Sequence, residues 1–276
     1  MSDASFDALL SLAASYTEFI PDMNFSSLSL DRILKLKCDL LVLSLILIIY
    51  NLSNLYCKTI MLKALVQPVT PFQQNASIIY CDETMKCAIV DPGGDIEILL
   101  HISKENNLIP EKILLTHGHI DHAGGATEIS EILNIEIHGP HVDDKFLLDS
   151  LQKQGEMFGM PSKNCTPDKW LNDGDIIYVG NERLEVYLCP GHTPGHIIFF
   201  SKDISLALVG DVLFNGSIGR TDLPGGNFED LIESVKNKLW PLGANIKFIP
   251  GHGPESDFAT ERKSNPFVSD EVLGFN

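Results

Sequence analysis

The stretch that most restricts what this chain can become is Ile113–Gly125, ILLTHGHIDHAGG. It starts as a β-branched and leucine run of the kind that forms a buried strand. Four metal-ligand side chains then follow within six residues: His117, His119, Asp121 and His122. Side chains at i and i+2 share a side only where the backbone is extended. His117 and His119 therefore belong on a loop leaving the strand end, where they grip one metal. A helical HExxH site works differently, pairing i with i+4 on one helix face. Asp121 and His122 lie further along and face a second metal. Gly118, Gly124 and Gly125 permit the tight path and lead into a helix over Gly124–Leu133.

Three later segments offer the remaining donors, each at the end of an expected strand and each flanked by glycine or proline. Cys189–His196 reads CPGHTPGH and presents His192. Val209-Gly210-Asp211 leaves a carboxylate at a strand tip, placed to bridge two metals. Pro250–Pro254 reads PGHGP and presents His252. Taken singly, such glycine-rich pieces are ordinary turns. Taken together, they place five histidines and two aspartates on short loops of a rigid sheet edge, which is how metal sites are held.

A chain of 276 residues is long enough for one large or two modest domains. The net charge of −17 argues against a nucleic-acid partner, because phosphate binding needs a basic face. The six cysteines, Cys38, Cys57, Cys81, Cys87, Cys165 and Cys189, form no CxxC pair, so reduced thiols in a cytoplasmic protein are expected. Residues 1–60 differ in character: they contain no glycine, whereas the rest of the chain carries all 21. Leu40–Tyr50, LLVLSLILIIY, is apolar over eleven residues, short of the roughly 20 that span a bilayer. A dispensable leader is expected there, or a start called too early with Met61 as the true one. Membrane association through residues 40–56 is the alternative. From Met61 onward, strands and helices alternate in two runs, each of strands then helices. That pattern implies two sheets packed face to face with helices outside, an α/β (α+β) chain.

These motifs resemble the metallo-β-lactamase superfamily, whose THxHxDH pattern stands here as Thr116–His122. Within it the chain is similar to the short-form glyoxalase II group. The stretches that carry the likeness are PVTPFQQN at 68–75, VDPGG at 90–94, CPGHTPGH at 189–196, GSIGRTDLPGG at 216–226 and PGHGP at 250–254. The resemblance implies an αββα four-layer sandwich over residues 61–276. It implies His117, His119 and His192 on one metal, Asp121, His122 and His252 on the other, and Asp211 shared. The two divalent ions would be mainly zinc, with iron or manganese as alternatives. They would share a hydroxide that attacks a thioester carbonyl, with Asp121 or Asp211 taking its proton, as in hydrolysis of S-lactoylglutathione to lactate and glutathione. Branches that hydrolyse β-lactams often lack a histidine at the place of His122 or carry cysteine at the place of Asp211, and neither change is seen here. Full-length glyoxalase II proteins add a C-terminal domain that grips glutathione, whereas only 24 residues follow His252.

The alternative activity is a persulfide dioxygenase, which shares the TPGH element and a GRTD stretch like Gly219–Asp222. It would hold a single iron on His117, His192 and Asp211. Arg220 is a candidate contact for the small-molecule substrate. The competing reading is an Arg220–Asp222 pair that fastens its own loop. Phe72 and Phe146 are candidates to line the pocket, with buried aromatics as the expected reading. His101, His138 and His141 are expected to stand outside the chemistry, and His196 to be structural.

Overall fold

The computed structural model describes residues 61–275. The expected leader, its apolar run and Met1–Ile60 as a whole lie outside the described residues. Five strands form the first sheet: Leu62–Val69 (β1), Gln74–Cys81 (β2), Lys86–Val90 (β3), Ile109–Leu114 (β4) and Glu136–His138 (β5), in that spatial order. The second sheet contains Ile176–Val179 (β6), Glu182–Leu188 (β7), Ile197–Ser201 (β8), Leu206–Gly210 (β9), Lys247–Pro250 (β12) and Ser256–Asp257 (β13). Its order is β13-β12-β9-β8-β7-β6. A small hairpin, Leu213–Phe214 (β10) with Ser217–Ile218 (β11), follows β9. Sequence patterning did not single out this hairpin, β13 or the closing helix Asp270–Leu273.

The four layers follow from the two-residue period of the strands. In β8, Ile197 and Phe199 face a core shared with Leu114 and Val90 of the first sheet. The alternate residues Ile198 and Phe200 face Leu231, Val235 and Phe258, from the helical stretch beginning with Phe228–Ser234 and the helix Phe258–Ser264. In β4, Leu114 lies in the core between the sheets, while Ile113 packs with Leu99 and Ile129. Those residues belong to the helices Ile96–Glu105 and Ala126–Leu133. Both faces of each sheet are therefore covered, and the architecture is the αββα sandwich expected from the motifs.

This arrangement sets the position of the site. β3, β4 and β5 run parallel, as do β9 and β12, so several strands end at one edge. The loops after β3, β4, β7, β9 and β12 begin there. Two backbone bonds tie them together: Ile197 N donates to Thr116 O at 2.8 Å, and Gly251 N donates to Gly210 O at 2.7 Å. The helix expected over Gly124–Leu133 is present as Ala126–Leu133, and a separate short helical turn, Ile120–Ala123, precedes it. Gly124 and Gly125 fall between them, where an added Cβ at Gly124 would lie 2.6 Å from Gly93 O. Among the described residues no helix is long and apolar enough to cross a membrane.

Candidate metal centre

His119 has extended backbone, φ −73° and ψ 153°, as the i/i+2 spacing requires. Its Nδ1 lies 2.9 Å from His192 Nε2. Ligand atoms of His117, His119 and His192 all fall within 4.8 Å of one another, and so do those of Asp121, His122 and His252. Asp211 stands between the two groups. Its Oδ1 is 3.3 Å from His122 Nε2, and its Oδ2 is 3.5 Å from His192 Nε2 and 3.7 Å from His252 Nε2. Asp121 Oδ2 is 3.2 Å from His252 Nε2. All seven donors named from the sequence therefore lie together at one sheet edge.

Neighbouring bonds determine which nitrogen of each ring faces inward. The Thr116 hydroxyl donates to Asp91 Oδ2 at 2.6 Å, so its oxygen is left to accept from His117 Nδ1 at 3.0 Å. His122 Nδ1 donates to Asp91 Oδ2 at 2.9 Å, and His192 Nδ1 donates to Arg220 O at 2.7 Å. Each ring thus turns a Nε2 lone pair into the site, and those of His117 and His122 are buried without a hydrogen-bond partner. Asp211 Oδ1 is orphaned in the same way. Buried polar atoms left unpaired are costly and rare. A cluster of converging lone pairs with fixed tautomers is the donor chemistry of a cation site. His196 differs from the others, since its Nε2 accepts from Asp211 N at 3.0 Å. Its ring stacks on His117 with centroids 4.7 Å apart, so it braces the site, in line with the structural role expected for it.

The charges agree with this reading. Burial and the surrounding imidazoles hold His117 well below the usual histidine value, and burial together with His192 holds His119 down to about 3. Both rings stay neutral and able to donate a lone pair. Burial opposes charge on His122 too, but Asp211 and Asp121 outweigh it and hold that ring well above the ordinary value, so a proton competes with a cation for its Nε2 lone pair. Burial opposes ionisation of Asp211, yet His122 and His192 keep it well below the usual carboxylate range. Two ionised carboxylates thus favour positive charge where the imidazole lone pairs converge.

Two residues central to the site were not singled out in the sequence. Asp91, which ends β3 with a left-handed φ of 50°, binds Thr116 N, Thr116 Oγ1 and His122 Nδ1. A non-glycine residue held there is strained, and such strain gathers at functional sites. Asp144, fully buried, accepts from Gly118 N, Thr193 Oγ1 and Gly195 N. Burial pushes its carboxyl up to about 6 against those three bonds. A third donor group, Asp91 with His117 and His122, is accounted for by this hydrogen bonding.

One expectation is corrected. Phe72 and Phe146 are not buried; they are 43% and 45% exposed. Phe72 packs edge-on against Phe158 at 5.7 Å. Arg220 clasps Asp222 through two 2.7 Å bonds on an exposed loop. The loop-fastening pair is therefore formed, and the backbone carbonyl of Arg220 orients His192. His101 and His138 pair with Glu105 and Glu136, away from the seven donors. The four described cysteines, Cys81, Cys87, Cys165 and Cys189, are buried free thiols, while Cys38 and Cys57 lie outside the described residues.

The chain belongs to the metallo-beta-lactamase superfamily, whose sequence profile matches residues 69–252. The hydroxyacylglutathione hydrolase GloC of Haemophilus influenzae is 45% identical over 204 residues, 73% of this chain and 96% of that protein. Among solved structures, the BLEG-1 B3 metallo-beta-lactamase is 34% identical with a TM-score of 0.69, covering 75% of this chain and all but 1% of its own. TTHA1623, solved in a di-iron-bound form, is 33% identical with a TM-score of 0.68, covering 74% of this chain and 100% of its own.

Proposed function

We propose that this chain hydrolyses hydroxyacylglutathione thioesters, S-lactoylglutathione above all, with two divalent metal ions. The observation that carries the proposal is the complete seven-donor set with Asp211 between its two groups. The 45% likeness to a hydroxyacylglutathione hydrolase over nearly that protein's whole length supports the substrate class. His117, His119 and His192 would hold one ion, and Asp121, His122 and His252 the other. When bound, such a pair lowers the pKa of water towards about 7 and polarises a carbonyl. Imidazole and carboxylate donors suit zinc and also accept iron or manganese, and a relative binds two irons. Zinc is the expected resident.

The residues divide the remaining tasks. Asp211 holds the two donor groups in register and keeps a carboxylate where a water proton is released. Asp121 offers a second acceptor for that proton. His252 and Asp121 keep 30% and 18% of their side chains exposed, while His117 and His122 are sealed. His119 is half-buried as well, so donors of both groups are reachable from the open edge. The thiolate is a good leaving group and needs little help from a protonated side chain. The free cysteines fit a reducing, cytoplasmic setting.

The test runs S-lactoylglutathione, glutathione persulfide and a cephalosporin side by side with an oxygen electrode. Thioester cleavage without oxygen uptake is expected. Oxygen uptake with persulfide and no thioester cleavage would replace the hydrolase by a dioxygenase, and turnover of the cephalosporin alone would replace it by a lactamase. Elemental analysis should find about two metals per chain, falling to about one in His122→Ala, because that ring serves only the second group. Loss of both ions in that variant would mean that the two groups do not fill separately.

A further inference from the structure

We propose that Asp144 is a positioning residue for the first metal, a clamp that joins the loop bearing His117 and His119 to the loop bearing His192. The inference rests on the metal reading above. Asp144 touches none of the seven donors, yet it bonds to the residue between two of them and to residues just beyond the third. Its Oδ2 accepts from Gly118 N at 2.8 Å and from Thr193 Oγ1 at 2.7 Å, and its Oδ1 accepts from Gly195 N at 2.6 Å. The two loops come from different sheets. Their separation across this carboxylate fixes how far His117 and His119 stand from His192.

The packing is built to admit this one side chain. A Cβ on Gly195 would fall 2.5 Å from Asp144 N and 2.8 Å from its Oδ1, and a Cβ on Gly118 would fall 3.1 Å from Asp144 O. Both loops are therefore glycine where they meet the clamp. All three partners are donors, so a carboxylate satisfies them together. An amide would turn its own NH2 towards one of them and leave that donor unpaired. The second group of donors has no share in this clamp. Its braces are Asp91 on His122, and Asn75, whose Nδ2 donates to Pro250 O and Gly253 O at 3.0 and 2.8 Å.

The test uses the zinc-loaded full chain as wild type, D144N, H122A and the double variant D144N/H122A. Zinc per chain is measured by elemental analysis, and zinc transfer to a chromophoric chelator is followed in time. Positioning partners of metal ligands typically carry 10–100-fold in affinity. D144N should therefore release one ion roughly 10–100-fold more readily and keep the other at the wild-type rate. The double variant should hold about one zinc and release it roughly 10–100-fold faster than H122A does, because the two substitutions act on different groups. Equal release of both ions from wild type and D144N overturns the clamp alone, and so does equal acceleration of both ions, which marks a general loss of packing. A wild type that takes up no zinc overturns the metal reading and the clamp together. If D144N does not fold, T193V removes a single donor and should speed release of the same ion by roughly threefold to tenfold. Unchanged release from T193V in that case overturns the clamp.

Discussion

Replacing Asp211 with alanine should lower turnover of S-lactoylglutathione by about 1,000-fold, close to 4 kcal/mol of transition-state stabilisation. The size follows from the place of this carboxylate. One oxygen faces His122 and the other faces His192 and His252, so its removal takes a shared donor from both groups at once. It also removes the negative charge that would offset the charge of the proposed ions. Asp211→Asn keeps the shape and loses the charge, so it should share most of the loss. Steady-state rates with metal content measured on the same samples decide the matter. An alanine variant within tenfold of wild type, with both metals in place, would remove Asp211 from its central role.

A single added methyl group should also cost turnover heavily although every donor residue is kept. A Cβ on Gly251 would sit 2.0 Å from Asp211 Oδ1 and 2.6 Å from His122 Cε1, distances that real atoms do not adopt. The backbone there cannot retreat easily. Gly251 N donates to Gly210 O and Gly251 O accepts from Asn75 N, both at 2.7 Å. The Asp211 carboxylate must therefore swing out of place. Misplacements near 1 Å at a reacting centre carry about 100-fold, so Gly251→Ala should lose at least that much in turnover and part of its metal. Circular dichroism should show the fold retained. Activity within threefold of wild type would show that the edge yields more than its hydrogen bonds suggest.

The donors themselves were legible because local chain chemistry marks them. The i/i+2 histidines, the glycine or proline at every ligand loop, and the strand run before each loop are all short-range signals. The four layers were legible for a similar reason, since strands covered on both faces read as continuous apolar runs. Asp91 and Asp144 were not legible, because their meaning lies in partners far along the chain. Asp91 finds Thr116 and His122, while Asp144 finds Gly118, Thr193 and Gly195. In the Val142–Asp144 turn nothing local distinguishes Asp143, which stays exposed, from Asp144, which is sealed. The surface position of Phe72 and Phe146 escaped notice for the converse reason: an aromatic ring is buried only if some other element arrives to cover it.

Each donor group draws on both sheets. His117 and His119 leave β4 and meet His192 from the loop after β7, while Asp121 and His122 meet His252 from beyond β12. Neither half of the sandwich can therefore assemble a site alone. The proposed ions act as rivets across a seam, binding tightly only once the two halves have docked. Their affinity then adds to the docked state by mass action, so chelation should lower the melting temperature and loosen the seam before either sheet comes apart. Metal uptake by a newly made chain would in turn mark the moment at which both halves have closed.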